Sequence, residues 1–193
     1  YLPSMKITNM LNAKYIIGPN PDPKIQEKVY LNRNALGNAW FVKNAKILPN
    51  ADSVILQMKT MDYRNEVLID EKDITGLNVD QAYNANGNIQ LITYRPNSLK
   101  YQFKTEGDQL AVFSEIYYED GWNAYINGQK APHFRVNYLL RALEVPQGEG
   151  TIEFKFEPKT YSIGKYLTMA SSLIIVLLIG GFVYSEFKGE KGS

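Results

Sequence analysis

The sequence predicts a mainly β protein: a small α+β segment first, an antiparallel β-sandwich second, and one C-terminal transmembrane helix last. Three observations predict it. Apolar and polar residues alternate through several short runs of the second half, as in strands with one buried face. Turn residues separate those runs at about eight to twelve positions, the spacing of a sandwich of the immunoglobulin-like or jelly-roll-like kind. Near the end, Tyr166 to Tyr184 reads YLTMASSLIIVLLIGGFVY, nineteen residues without a charge.

The elements follow in order. Ser4 can cap a short helix over MKITNML, and AKYII after it alternates like a strand. GPNPDPK carries three prolines and is expected to break regular structure, because proline lacks the donor that helices and sheets need. KVYLN and AWFV read as short strands on either side of the RNALGN turn. In NADSVILQMKTMD either Asn50 or Asp52 offers a helix cap, and Val54, Ile55, Met58 and Met61 are expected on one stripe. EVLID reads as a further strand, and the polar run QAYNANGN as a boundary. No βαβ rhythm is evident, and no glycine-rich phosphate loop.

Beyond that boundary Leu99, Tyr101 and Phe103 alternate with Lys100, Gln102 and Lys104. QLAVFSEIYY is a longer strand, and Ile152, Phe154 and Phe156 alternate with Glu153, Lys155 and Glu157. The expected organisation is therefore residues 1–80, 85–158, a span over 165–185 and a short tail over 186–193. A nineteen-residue helix is about 28 Å long, close to the hydrocarbon thickness of a bilayer. Tyr166 and Tyr184 bracket it at the positions of interfacial aromatics, and Lys165 and Lys188 lie just outside. The lysines on the two sides nearly balance, so charge alone does not orient the span.

Composition narrows the chemistry. The 193 residues carry 21 Lys and Arg against 20 Asp and Glu, which gives no electrostatic case for nucleic acid. With no cysteine and a single histidine, a Cys/His zinc site and a cysteine nucleophile are excluded, and no cofactor is expected. The opening YLPSM has neither an initiator Met nor a charged segment before an apolar one, so it reads as part of a longer polypeptide and not as a signal peptide.

The densest cluster of chemical groups is YYEDGWNAYINGQKAP. Asn127-Gly128 is the preferred pair for a two-residue type I′ hairpin, and Asp120-Gly121 makes a second turn. Between them Trp122, Ala124 and Ile126 share one face and Asn123 and Tyr125 the other. Trp122 is most economically a core anchor, and Glu119 and Asp120 are solvated turn carboxylates. The competing reading makes Tyr118, Trp122 and Tyr125 an aromatic platform for a sugar ring. Arg135 and Arg141 are candidate anion contacts. Arg141 shares the parity of Leu139, Leu143 and Val145, so an inward face would demand a structural partner such as Glu115 or Glu144. His133, after Pro132, is expected in a surface loop.

NMLNAKYII, NALGNAWFV and the block from Tyr117 to Lys165, followed by a final hydrophobic span, resemble the C-terminal end of YfhO-type bacterial membrane proteins. The likeness covers nearly the whole chain and is most specific in the block from Tyr117 to Lys165, where the Asn-Gly turn, LLRALEVP and TIEFKFEP stand in that order. It implies an extracytoplasmic domain after a polytopic membrane region, with the C-terminus in the cytoplasm of a bacterium. It also implies kinship with glycosyltransferases of the GT-C class, which use polyprenyl-phosphate sugar donors and act on cell-envelope glycans. The expected partners are thus the lipid bilayer, the upstream membrane region, and an envelope glycan or polyprenyl-phosphate sugar. The family's catalytic acids lie near the first membrane helices, so none is carried onto this sequence. A tethered carbohydrate-binding module and a purely structural scaffold are the alternatives. Glu149-Gly150 stands where relatives often show Lys-His, a surface change of little expected consequence.

Overall fold

The computed structural model describes residues 5–19, 27–74 and 82–190. Contacts divide the chain into one unit, Tyr1–Lys155, and a second, Phe156–Ser193. The first is mostly strand.

It opens with α1 (Lys6–Met10), which has Met5 at its cap position and no side-chain cap bond; Ser4 lies outside the described residues. What holds this short helix is buried polar pairing. Asn9 Nδ2 donates to the Tyr63 hydroxyl at 3.0 Å, and Asn32 Nδ2 donates to Asn9 Oδ1 at 2.8 Å. β1 (Tyr15–Pro19) pairs antiparallel with β2 (Glu27–Leu31). Regular structure therefore continues through Gly18 and Pro19, into the run expected to break it, while residues 20–24 of that run lie outside the described residues. Pro19 is the last residue of β1, a ribbon end where a missing donor interrupts the ladder least.

β3 (Ala39–Val42), β4 (Asn44–Leu48), α2 (Ala51–Met58) and β5 (Glu66–Asp70) come next, then a 3-10 turn over Glu71–Asp73. β4 and β5 run parallel with α2 between them, so a βαβ unit exists where none is evident in the sequence. β4 hides it: the strand is five residues long, with Asn44 and Lys46 exposed. Of the two cap candidates Asn50 serves, its Oδ1 accepting from the Ser53 amide at 2.9 Å. Val54, Met58 and Met61 are buried, but Ile55 is 42% exposed. The stripe is narrower than expected, because Ile55 lies about 100° around the helix from Val54.

The remaining strands are β6 (Gly87–Arg95), β7 (Ser98–Thr105), β8 (Gln109–Ile116), β9 (Trp122–Ile126), β10 (Gln129–Ala131), β11 (Phe134–Val136), β12 (Leu140–Val145) and β13 (Gly148–Phe156). They build two sheets, ordered β10-β9-β13-β7-β6 and β11-β12-β8-β3. The antiparallel sandwich is thus present, with β3 recruited from the N-terminal half. Leu99, Tyr101, Phe103, Ile152 and Phe154 of the first sheet meet Phe41, Ala111, Phe113, Leu143 and Val145 of the second. The other face of the second sheet covers a separate core, where Leu110, Val112, Leu140 and Ala142 pack with Val54, Met58 and the β5 residues Val67 to Ile69. Burial on both faces explains why β8 is sealed continuously from Gln109 to Phe113 instead of alternating. Asn137, fully buried at φ 49°, ties the two layers: its Oδ1 accepts from the Leu68 amide at 2.9 Å.

The Asn-Gly hairpin forms as the sequence predicts. Asn127 and Gly128 have φ of 50° and 82°, and Gln129 pairs with Ile126. Asn127 Oδ1 also accepts from the Thr151 amide at 2.9 Å, fastening the hairpin to β13. That bond gives position 150 a consequence the sequence conceals, since a Cβ on Gly150 would collide with Asn127 Oδ1. Gly150→Ala is expected to expel the Asn127 side chain and lower stability by about 1 kcal/mol, the worth of one hydrogen bond. Chemical denaturation measures it, and in an Asn127→Gly background, which keeps the positive φ but lacks the amide, Gly150→Ala should cost little further.

The second unit is α3 (Lys159–Glu190), 32 residues and therefore about 48 Å long. Its stretch Ile163–Phe182 is apolar enough to cross a bilayer, and none of it is buried by the protein. The helix extends beyond both ends of the predicted 165–185 span and takes in the flanking lysines. An apolar surface exposed all around has no place in a soluble core, which is the physical case for lipid.

Candidate functional site

The strand β8 leaves the sandwich through an irregularity that opens a cleft. Arg141 stands opposite Phe113, yet the next ladder partner, Leu140, stands opposite Ile116. Ser114 and Glu115 therefore lie in a bulge, a device that bends a strand and re-aims its side chains. Ser114 Oγ donates to the Gly37 carbonyl at 2.6 Å, which anchors the bulge to the segment before β3. The resulting cleft has a volume of about 570 Å³ and is open on one side. Tyr94, Glu115, Tyr118, Trp122 and Arg141 line it, with Asn12 contributed by the N-terminal layer. That volume lies within the ordinary range for small-molecule sites, roughly 300–1,000 Å³.

Arg141 is its most unusual wall. The residue is 2% exposed, and its guanidinium carbon lies 4.8 Å from the ring centroids of both Trp122 and Phe154. Nη2 donates to the Ile116 carbonyl at 2.8 Å, while Nε and Nη1 have no acceptor. The ion pair expected from the sequence is not formed: among the described residues no carboxylate reaches Arg141. Glu144 instead accepts from the Tyr83 hydroxyl. Glu115 acts on Arg141 only through space, and burial pushes its carboxyl pKa up while Arg141 opposes the rise. Burial likewise holds the Arg141 pKa below the usual arginine value, with Glu115 opposing the fall.

His133 is also not the surface residue expected. Its ring lies 5.5 Å from that of Tyr117 and 5.7 Å from that of Phe154, and its Nε2 is buried without a hydrogen-bond partner. Burial, with smaller contributions from Arg141 and Lys130, lowers its pKa from 6.5 to about 4. It is neutral at ordinary pH. Sequence reasoning missed it because a histidine after proline has no periodic context, and the rings it packs against, Tyr117 and Phe154, come from distant segments.

The structure brings three of the five singled-out residues together. Trp122 and Tyr118 share the cleft with Arg141, Tyr118 being 55% exposed and Trp122 half-buried against the sandwich core. Tyr125 lies on the other face of β9, with the Lys155 ammonium 5.1 Å from its ring centroid. Arg135 stands directly across the ladder from Arg141 but is held by Asp73, its Nε and Nη2 donating to the two carboxylate oxygens at 2.8 and 3.0 Å. Those bonds raise its pKa further above the usual value. Tyr94 and Asn12 were missed. Tyr94 sits on a strand edge like many tyrosines, and Asn12 enters from far along the chain with an unpartnered Oδ1 and φ of 55°. Among the described residues there is no group of acids or histidines fit to hold a metal.

The model of the family described as "Bacterial membrane protein YfhO" matches residues 27–168. A protein of Bacillus subtilis (strain 168), described as "Uncharacterized protein YfhO", is 25% identical over 127 residues. Those residues are 66% of this chain but 14% of that protein, so the chain spans a small part of its relative's length. No solved structure matches the chain.

Proposed function

This chain belongs to the YfhO family of bacterial membrane proteins, and from that premise we propose that it is the extracytoplasmic C-terminal domain and last membrane helix of a larger protein in the cytoplasmic membrane. In this reading the β body is non-catalytic. It helps a membrane glycosyltransferase position a cell-envelope glycan or a polyprenyl-phosphate sugar donor, and the C-terminus lies in the cytoplasm. The observation that carries the binding role is the cleft that Trp122, Tyr118 and Tyr94 line together with the buried Arg141. Aromatic walls suit the apolar faces of sugar rings, and a few fixed polar groups supply orientation.

The test uses the full-length membrane protein. Tyr118→Ala, at a 55% exposed position, is expected to reduce sugar transfer about tenfold, the equivalent of about 1.4 kcal/mol, with protein abundance unchanged. Transfer that tracks abundance alone would refute the positioning role. It would favour the scaffold reading, for which the packing of Trp122 against the sandwich core is the supporting observation.

A further inference from the structure

Resting on the reading of the cleft as a glycan site, we propose that its ligand is anionic: an oxyanion, of a phosphate ester or a carboxylate, sits against Arg141 while the adjoining sugar ring lies on Trp122 and Tyr118. The reason is an imbalance of charge and hydrogen bonding. A guanidinium carries five N–H donors, and removing it from water is costly unless acceptors replace the solvent. Arg141 is 2% exposed, makes one bond to a carbonyl, and leaves Nε and Nη1 without acceptors. Its guanidinium carbon lies 4.8 Å from the ring centroids of Trp122 and Phe154, neither of which offers an oxygen acceptor, so its remaining capacity is in its N–H groups, which oxyanions bind.

The surroundings do not neutralise it. Glu115, on the bulge beside it, forms no ion pair, and burial weakens its acidity. His133 stays neutral, and Arg135 is already matched by Asp73. Arg141 is thus a positive charge in want of an anion, on the wall of an open cleft. Asn12 Oδ1, buried and unpartnered on the same cleft, is placed to accept from a hydroxyl group. Charge and hydroxyl recognition side by side fit a sugar that carries an acidic substituent. They do not fit a neutral glycan, which would leave the guanidinium uncompensated.

Calorimetric titration of the whole chain in non-ionic micelles tests this, with glucose, glucose monophosphate, glucuronate, inorganic phosphate and farnesyl phosphate as probes. The acidic sugars are expected to bind at least about tenfold more tightly than glucose, with inorganic phosphate competing. Added salt should shrink that ratio, and Arg141→Met, which fills the same space without charge, should abolish it. Should Arg141→Met fail to fold, Glu115→Gln serves instead: loss of the nearby carboxylate should widen the preference for acidic sugars over glucose, and an unchanged or narrowed preference overturns the anion site. Displacement of glucose monophosphate by farnesyl phosphate at concentrations well below those at which inorganic phosphate competes would identify a lipid-borne phosphate as the source. Displacement no better than by inorganic phosphate would point to an acidic polymer, and both results support the anion site. Equal binding of glucose and its phosphate overturns the anion site while the glycan cleft stands. An acidic preference that survives in Arg141→Met removes Arg141 from the site. Binding of no probe at all overturns the glycan reading and this inference together.

Discussion

Phe113→Ala is expected to destabilise the β body by about 4 kcal/mol, the usual cost of truncating a fully buried phenylalanine. Phe113 is 0% exposed and stands between the two sandwich sheets. Its ring meets those of Tyr101 and Phe154 edge-on, each with centroids 4.9 Å away, and Tyr101 and Phe154 meet each other at 6.2 Å. Removing the middle ring leaves a cavity that neither partner can fill without leaving its own strand. Such pairs add about 0.5–1.5 kcal/mol beyond the area they bury. Against a total stability of about 5–15 kcal/mol the loss is severe. Urea denaturation should show a lower midpoint with unchanged slope. Ile92→Ala, at a 54% exposed position, should move stability by no more than about 0.5 kcal/mol. Comparable losses from the two variants would contradict the placement of the core.

The second large effect concerns acid. His133 titrates near 4 in the folded chain against 6.5 for a free side chain. Between those values the unfolded chain binds more protons than the folded one, so stability falls as pH drops through the window. A shift of that size corresponds to at most about 3 kcal/mol, reduced because the ring is not completely sealed from water. Glu115 works in the opposite direction, because its raised pKa favours proton uptake by the folded state. The informative quantity is therefore the difference between the parent chain and His133→Gln. Denaturation midpoints measured from neutral pH down to about 4 should fall more steeply for the parent. Parallel curves would mean that the imidazole is not buried.

Much of the fold was legible because period and turn chemistry are local. Alternation in LKYQFK and TIEFKF located two strands of the sandwich, and Asn127-Gly128 located its hairpin. The βαβ unit escaped because β4 carries Asn44 and Lys46 on a five-residue strand, and because parallel pairing is a long-range fact. The site divides along the same line. Trp122, Tyr118 and Arg141 could be named from residue type and strand parity, but their convergence depends on the bulge at Ser114 and Glu115. A bulge has no strong sequence signature. The missing partner of Arg141 was equally invisible, since Glu144, the carboxylate nearby in sequence, is spent on Tyr83. His133 was misplaced because it packs against Tyr117 and Phe154, neither of them near it in the chain.

The sheet formed by β11, β12, β8 and β3 is a bulkhead between two compartments, and neither compartment closes without it. Alternate side chains of β12 serve opposite cores: Ala142 is counted in one, Leu143 and Val145 in the other. A cut through the polar run near residue 82 would therefore not release two self-sufficient halves. It would strip Leu110, Val112 and Leu140 of their cover on one side and take β3 from the rim of the sheet on the other. The part of the chain before that cut is hull plating for the sandwich, and the cleft, which borrows Asn12 from it, would be breached first.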